Sequence, residues 1–344
     1  MTTRRTLLIV GASLAGAKAA EGARAAGYDG RILLVGDEAS APYERPPLSK
    51  AVLRGEADLE STRVHADDFY AEHDVEVVTD HAVALDATDR RIELAGRGTI
   101  GFDRAVLATG AAPRRLDVPG HDLPGVHLLR TAEDAVALGR AIRAGSRVAV
   151  IGAGWIGSEV AASARQMGAD VVLVDPGPVP LRRVLGDEVG GMFRRLHADN
   201  GVTLRLGTRV RELRGSGAVG EVVLDDGRVE DADVVVVGIG VVPRTELAAA
   251  ASGLHVDDGI VVDHHLETSV AGVYAAGDVA NAWHPHLERH VRVEHWANAL
   301  HQGFTAGGNA SGRHDVYGRV PYFFSDQYDV GMEYVGQAEP GDVL

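Results

Sequence analysis

The amino-acid sequence predicts an α/β fold in which two similar nucleotide-binding modules are nested in one chain. Three observations carry the prediction. Two glycine-rich turns each sit between an apolar run and a small-residue helix, and a second apolar run ending in glycine follows each of them. The chain, at 344 residues, is longer than one hydrophobic core normally serves.

The glycine turns are Gly11-x-Ser13-x-x-Gly16 and Gly152-x-Gly154-x-x-Gly157. Laying Leu7–Ala20 (LLIVGASLAGAKAA) over Ala149–Ala161 (AVIGAGWIGSEVA) matches a strand-type run, a turn and a helix at each site. Asp103–Gly110 (DRAVLATG) and Asp233–Gly240 (DVVVVGIG) pair off in the same way. The pattern is an internal duplication. Between these landmarks the sequence predicts a helix over Leu14–Ala26, a strand over Arg31–Val35, a rigid Pro-rich loop over Pro42–Pro47 and short strands through Val75–Leu94. A helix over Thr131–Ala144 leads into the second module, which runs to about Pro243. Strands at Gly259–Val262 and Gly272–Ala276 then return to the first module. Phe323-Phe324 and Tyr334-Val335 read as strands, and residues 337–344 as a polar, turn-rich tail.

Composition excludes several classes of function. A net charge of −15 opposes general affinity for nucleic acid or anionic membrane. No apolar run approaches the roughly 18 residues of a spanning helix, so no membrane insertion is expected. Arg4-Arg5 with the following apolar stretch imitates a signal peptide, but that stretch ends at Gly11 and the same pattern recurs at residue 151, where no signal acts. A cytoplasmic location is expected. The chain contains no cysteine, which removes disulfide scaffolds and electron transfer through a thiol pair. Monomer and dimer are both compatible with the sequence.

A glycine turn between strand and helix lets the backbone approach a pyrophosphate and aims the helix N–H groups at it. Two such turns imply two dinucleotides. In the second module the strand Val171–Val174 ends in Asp175, 23 residues beyond Gly152, where a carboxylate bonds a ribose 2′-hydroxyl and repels a 2′-phosphate. That favours NADH over NADPH. No arginine occupies 176–180, although Arg182 and Arg183 follow. In the first module Gly36-Asp37-Glu38 stands at the equivalent strand end, and either acidic side chain could reach a ribose. The loop Pro42–Lys50 (PYERPPLSK) could hold Arg45 and Lys50 against a ligand, and Asp278 in YAAGD could accept a ribityl hydroxyl.

The order of these motifs, with LATGAAP at 107–113, LRTAED at 129–134, VEHWANA at 293–299 and VPYFFSDQ at 320–327, resembles the FAD-dependent ferredoxin reductases of bacterial oxygenase systems, over essentially the whole chain. The resemblance implies two Rossmann-like FAD/NAD(P)-binding domains of the glutathione-reductase type and only the start of an α+β C-terminal domain. It divides the chain into a discontinuous FAD domain (1–112 and 245–318), an inserted NAD domain (113–244) and the beginning of a truncated C-terminal domain (319–344). It assigns to FAD Gly11, Ser13, Leu14, Ala15, Gly16, Asp37, Glu38, Arg45, Lys50, Val83, Ala108, Thr109, Gly110, Arg130, Gly277, Asp278, Glu294, His295 and Trp296. To NADH it assigns Gly152, Gly154, Trp155, Ile156, Gly157, Glu159, Asp175, Arg183, Gly238, Ile239, Gly240 and Phe324. Lys50 and Glu159 are the catalytic pair expected beside the flavin, positioning and tuning it rather than moving a proton. Relatives usually carry Trp at the position of Phe324, and Phe keeps the stacking face while losing an N–H donor.

On this reading hydride passes from NADH to FAD, and single electrons leave for a [2Fe–2S] ferredoxin, with rubredoxin as the second choice. The missing cysteines exclude the disulfide-reducing relatives. Arg289, Arg292, Arg313 and Arg319 are candidates for steering an acidic carrier. The alternative is a flavoprotein resembling apoptosis-inducing factor, in which NADH binding changes conformation or partner. A metal site built from His264, His265, His284, His286 and His290 fits no zinc spacing.

Overall fold

The computed structural model describes residues 5–337. Arg4 of the signal-like start and residues 338–344 of the polar tail lie outside the described residues.

Two five-stranded parallel sheets form the frame. In the first, Thr6–Val10 lies at the centre, flanked by Arg31–Gly36 and Val75–Thr79 on one side and by Arg104–Leu107 and Val273–Ala275 on the other. In the second, Arg147–Ile151 takes the centre, with Asp170–Asp175 and Thr203–Leu206 on one side and Val234–Val237 and Val126–His127 on the other. Four strands of the two sheets follow one order, while the fifth, Val273–Ala275 or Val126–His127, comes after the other four in the first sheet and before them in the second. Continuous apolar runs such as Leu7–Val10, Ile32–Val35, Val171–Val174 and Val234–Val237 are buried throughout, as strands covered on both faces must be. Truncating a fully buried member such as Leu33 to Ala would cost about 2–5 kcal/mol. Each module also carries a three-stranded antiparallel sheet, Ala82–Gly101 in the first and Val210–Asp231 in the second.

The chain passes between modules on two neighbouring strands, Ala111–Pro113 outbound and Val241–Pro243 on return, which pair antiparallel. In the first module the helix Leu14–Ala25 lies against the helix Trp296–Ala310. Gly303 and Gly307 permit this approach: a Cβ on either would stand within 2.2 Å of the carbonyl oxygen of Ala15 or Ala19. The hairpin Tyr322–Gln327/Val330–Val335 sends Met332 and Tyr334 onto Leu181, Leu185 and Phe193 of the second module.

Local differences from the sequence reading have physical causes. The Pro-rich segment contains a 3₁₀ turn, Pro46–Ser49, because both prolines occupy its first positions, where no N–H donor is needed. Of the two returning strands only Val273–Ala275 joins the first sheet. Ile260–Val262 pairs instead with Ala280–His284, and the outer edge of Val273–Ala275 is taken by residues 266–268. The helix foreseen to Ala144 ends at Ala141, and at its start Thr131 and Asp134 form a reciprocal capping box.

A cleft between two glycine fingerprints

Each fingerprint is built by the same two contacts. Gly11 and Gly152 take φ of +113° and +100°, conformations open to glycine at little cost. A Cβ on Gly16 would stand 1.8 Å from the Gly11 carbonyl oxygen, and one on Gly157 would stand 1.8 Å from that of Gly152. The middle positions differ in kind. Ser13 and Gly154 are the N-caps of the helices they precede, neither with a side-chain cap bond. Beyond its chain neighbours and its own helix backbone, no atom of the described residues lies within 4 Å of a Cβ built on Gly154, so its glycine answers no packing demand among them. It leaves a cradle at a helix N-terminus that a phosphate fits.

The main cleft lies between the modules. The first module supplies Gly11, Ser13, Leu14, Ala15, Asp37, Glu38, Arg45, Lys50, Ala108, Thr109, Gly110, Gly277, Asp278, Glu294, His295 and Trp296, joined by Arg130 from the segment that leads into the second. The second module adds Trp155, Ile156 and Glu159 from the start of its fingerprint helix, and the terminal hairpin adds Phe324. Gly16 lies beneath the turn, buried and outside the lining. Val83, half exposed, lines an adjoining depression with Gly11, Asp37, Thr109 and Arg244. Gly152, Gly154, Gly157, Asp175, Arg183, Gly238, Ile239 and Gly240 are not brought into the main cleft. Gly238 abuts the Gly157 backbone, and Arg183 is exposed.

The floor of the cleft is an ion pair joining the modules. Lys50 Nζ lies 2.9 Å from Glu159 Oε2, with side chains only 12% and 5% exposed. Ser49 Oγ donates to the same oxygen at 2.5 Å and Ser325 Oγ donates to Oε1 at 2.8 Å. Lys50 also donates to the Pro46 carbonyl and stands 5.6 Å from the Phe324 ring centroid. Breaking such a buried pair from one side costs about 3–5 kcal/mol, because the other charge is left uncompensated.

Polar contacts divide the two acidic side chains after the second strand of the first module. Glu38 is engaged by the Tyr43 hydroxyl and by Arg45 at 2.7 Å. Burial is the main cause pushing Tyr43 up to about 12, so its hydroxyl keeps its proton and donates. Asp37 is exposed and, among the described residues, its carboxylate pairs only with Arg244, at 3.4 Å. Arg130 bonds Asp278 at 2.8 Å. Asp175 accepts from the Ala153 N–H and the Gly177 N–H, both at 2.7 Å, and so ties the glycine turn to the neighbouring strand.

The remaining polar atoms suit a flavin. Trp296 Nε1 and His295 Nδ1 are buried in the cleft wall without a protein partner, and they stand at the N-terminus of a 15-residue helix, where N–H groups and the helix dipole favour carbonyl and anionic groups. Among the arginines foreseen for steering a carrier, Arg292 is unsuited. Its side chain is 12% exposed and is paired with Asp258 and Glu294, so its charge is already spent within the fold. Arg319 remains exposed. Among the described residues no three of His, Asp and Glu gather in a way that could hold a metal ion, and no helix is long and apolar enough to cross a membrane.

Sequence reasoning missed Tyr43, Ser49, Arg244 and Ser325. Arg244 had a signal in the repeat, since Gly110-Ala-Ala-Pro113-Arg114 recurs as Gly240-Val-Val-Pro243-Arg244, while the other three lie inside motifs already noted, without a cue of their own.

Residues 5–303 match the protein family described as pyridine nucleotide-disulphide oxidoreductase. Rhodocoxin reductase of Rhodococcus erythropolis is 41% identical over 339 residues, spanning 98% of this chain and 79% of that protein. Putidaredoxin reductase CamA of Pseudomonas putida is 38% identical, over 99% of this chain and 82% of that protein. The solved ferredoxin reductase for the CYP199A2 system from Rhodopseudomonas palustris superposes with a TM-score of 0.93 at 39% identity, covering 96% of this chain and 82% of that one. The reductase chain of the covalent putidaredoxin reductase–putidaredoxin complex does so with 0.95 at 38% identity, covering 98% and 83%.

Proposed function

The chain belongs to the pyridine nucleotide-disulphide oxidoreductases and among them to the ferredoxin–NAD(+) reductases, and from that premise we propose that it carries electrons from NADH through FAD to a [2Fe–2S] ferredoxin serving an oxygenase. The observation that carries this reading is the Lys50–Glu159 pair, one residue from each module, at the floor of the shared cleft. The family's name refers to a disulfide, yet none of the 344 residues is cysteine. The electrons therefore leave for an external acceptor. We place the reaction in the cytoplasm, where its reduced nicotinamide donor is found.

Bound FAD supplies an acceptor for hydride and a donor of single electrons. The protein supplies binding, alignment and electrostatics. The Gly11–Gly16 turn and the Leu14 helix start hold a pyrophosphate. Asp37 takes the ribose hydroxyls, because the oxygens of Glu38 are already engaged by Tyr43 and Arg45. Asp278, oriented by Arg130, takes ribityl hydroxyls, and Trp296 and His295 close the far wall. On the other side the Gly152–Gly157 turn receives the nicotinamide nucleotide. Each oxygen of Asp175 accepts one backbone bond and keeps a lone pair for a ribose hydroxyl. Lys50 and Glu159 align and tune the reacting ring.

Purified protein supplied with FAD should turn yellow, lose that colour on anaerobic addition of NADH and regain it on addition of a [2Fe–2S] ferredoxin. A protein that takes up no FAD, or that prefers NADPH, would overturn the proposal. Faster reoxidation by rubredoxin would transfer the role of acceptor to that carrier.

A further inference from the structure

The ion pair does not end at Glu159. Behind it a line of buried side chains runs through the terminal hairpin into the second module. Ser325 and Gln327 are 0% and 1% exposed, and His197 is 0% exposed. Gln327 Nε2 donates to Ser325 Oγ at 3.2 Å, and Ser325 donates in turn to Glu159 Oε1 at 2.8 Å. A serine hydroxyl has one proton and two lone pairs. With the Gln327 amide N–H directed at its oxygen, the proton of Ser325 is left for the carboxylate. His197 Nδ1 lies 3.1 Å from the Tyr328 hydroxyl. His197 Nε2 and Gln327 Oε1 are both buried without a partner in hydrogen-bonding geometry, and Gln327 is near enough to favour the protonated imidazole. Burial outweighs this and takes His197 down to about 4, leaving the ring neutral, able to accept from Tyr328 at Nδ1 and to present Nε2–H toward Gln327.

We propose that Ser325, oriented by Gln327 and backed by His197, is a positioning residue for the Lys50–Glu159 pair. This rests on reading that pair as the one beside the flavin. Lys50 has a flexible stem, and its ammonium is placed by Glu159 Oε2 and the Pro46 carbonyl. Glu159 can hold Oε2 toward Lys50 and Ser49 only while Oε1 is fixed. Without the Ser325 hydroxyl, Oε1 is buried and unsatisfied, and the carboxylate can turn to share both oxygens with Lys50, drawing the ammonium from its place near Phe324. The link is direct along the chain: Phe324 lines the cleft, and Ser325, the next residue, bonds Glu159.

The test compares FAD-loaded Ser325→Ala, Ser325→Thr, Gln327→Met and Glu159→Gln with the parent protein by bound-flavin absorption spectrum, midpoint potential and the kcat and KM for NADH. Ser325→Ala should displace spectrum and potential in the direction of Glu159→Gln. It should lower kcat on the order of tenfold with KM little changed, as expected of misalignment without lost binding. Ser325→Thr, which restores the hydroxyl, should return toward the parent, and Gln327→Met should shift the same readouts by less. Ser325→Ala and Gln327→Met identical to the parent while Glu159→Gln is displaced would overturn the positioning role and leave the site reading standing. An unaffected Glu159→Gln would instead remove the site reading beneath it. If Ser325→Ala fails to hold FAD, the spectrum and potential of Gln327→Met decide between the same outcomes.

Discussion

Arg114 and Arg244 exchange partners across the two module crossings: the Arg114 N–H donates to the Gly240 carbonyl and the Arg244 N–H donates to the Gly110 carbonyl, both at 2.9 Å. Each arginine follows the strand of one module and stands at the glycine end of the other. Arg244 reaches Asp37 and lines the first module's cleft. The Arg114 side chain lies beside Gly240 and is exposed. Charged hydrogen bonds to a phosphate or ribose contribute about 1.5–3 kcal/mol. Arg244→Ala should therefore weaken FAD retention by roughly tenfold or more, measured as flavin absorbance per protein after dialysis. Arg114→Ala should keep its FAD and weaken NAD+ binding by a similar factor, measured by titration. The opposite assignment of losses would dissolve the pairing of each arginine with the other module's ligand.

That exchange also marks how far the sequence could be read. The fingerprints, the second-half strands and the motif-bearing loop were legible because each has local chemistry: glycine at positive φ, a period-2 apolar run, proline at a turn. Extending the repeat by four residues reaches Arg244. Ser325 and Gln327 had no such signal. In the strand Tyr322–Gln327 the inward positions are Phe323, Ser325 and Gln327, so two of the three buried side chains are polar, and their polarity alone assigns them to solvent. Their partners Glu159 and His197 lie more than a hundred residues away in sequence. The engagement of Glu38 by Tyr43 and Arg45 was equally hidden, since Asp37 and Glu38 differ only in what the fold brings to each.

The two helix-side glycines of the second fingerprint separate folding from binding. Gly157→Ala places a methyl 1.8 Å from the Gly152 carbonyl oxygen, an overlap relieved only by moving the turn, and should cost roughly 1–3 kcal/mol or more as overpacking does. Gly154→Ala meets no atom within 4 Å among the described residues beyond its chain neighbours and own helix backbone. Its thermal midpoint should match the parent, while NADH binding weakens if the methyl fills the space proposed for the pyrophosphate. Equal midpoints for the two variants would contradict this division.

Asp175 holds the turn through two backbone bonds as well as taking the ribose in the proposed reading, so replacing it should not produce a clean change of cofactor. Asp175→Ala removes the acceptor for the Ala153 and Gly177 N–H groups, and leaving the donor of the buried Ala153 unpaired costs about 1–3 kcal/mol. NADH affinity should fall by roughly tenfold without a matching gain for NADPH, as read from KM for both nucleotides. Asp175→Asn keeps an acceptor for one of the two donors and should lose less. A variant that adopts NADPH at full rate would show that the carboxylate acts on the 2′ position alone.

His197 gives the fold a dependence on acid that can be traced to one ring. Burial lowers it from 6.5 to about 4, and its ring stands edge-on to Tyr328, whose hydroxyl burial holds in the protonated form. Between those two values the unfolded chain binds a proton that the folded protein refuses. Stability therefore rises with pH across that window: the contribution of the neutral ring is complete above about 6.5 and is lost as pH falls toward 4. The depression of His197 is worth roughly 3 kcal/mol in total. His295, also taken down to about 4 by burial, adds in the same direction. His197→Gln lacks the titrating ring, and its thermal midpoint should start lower near neutral pH and then fall less steeply on acidification than that of the parent. Parallel curves for parent and variant would mean that His197 does not titrate on unfolding, and the acid sensitivity would then belong to other groups.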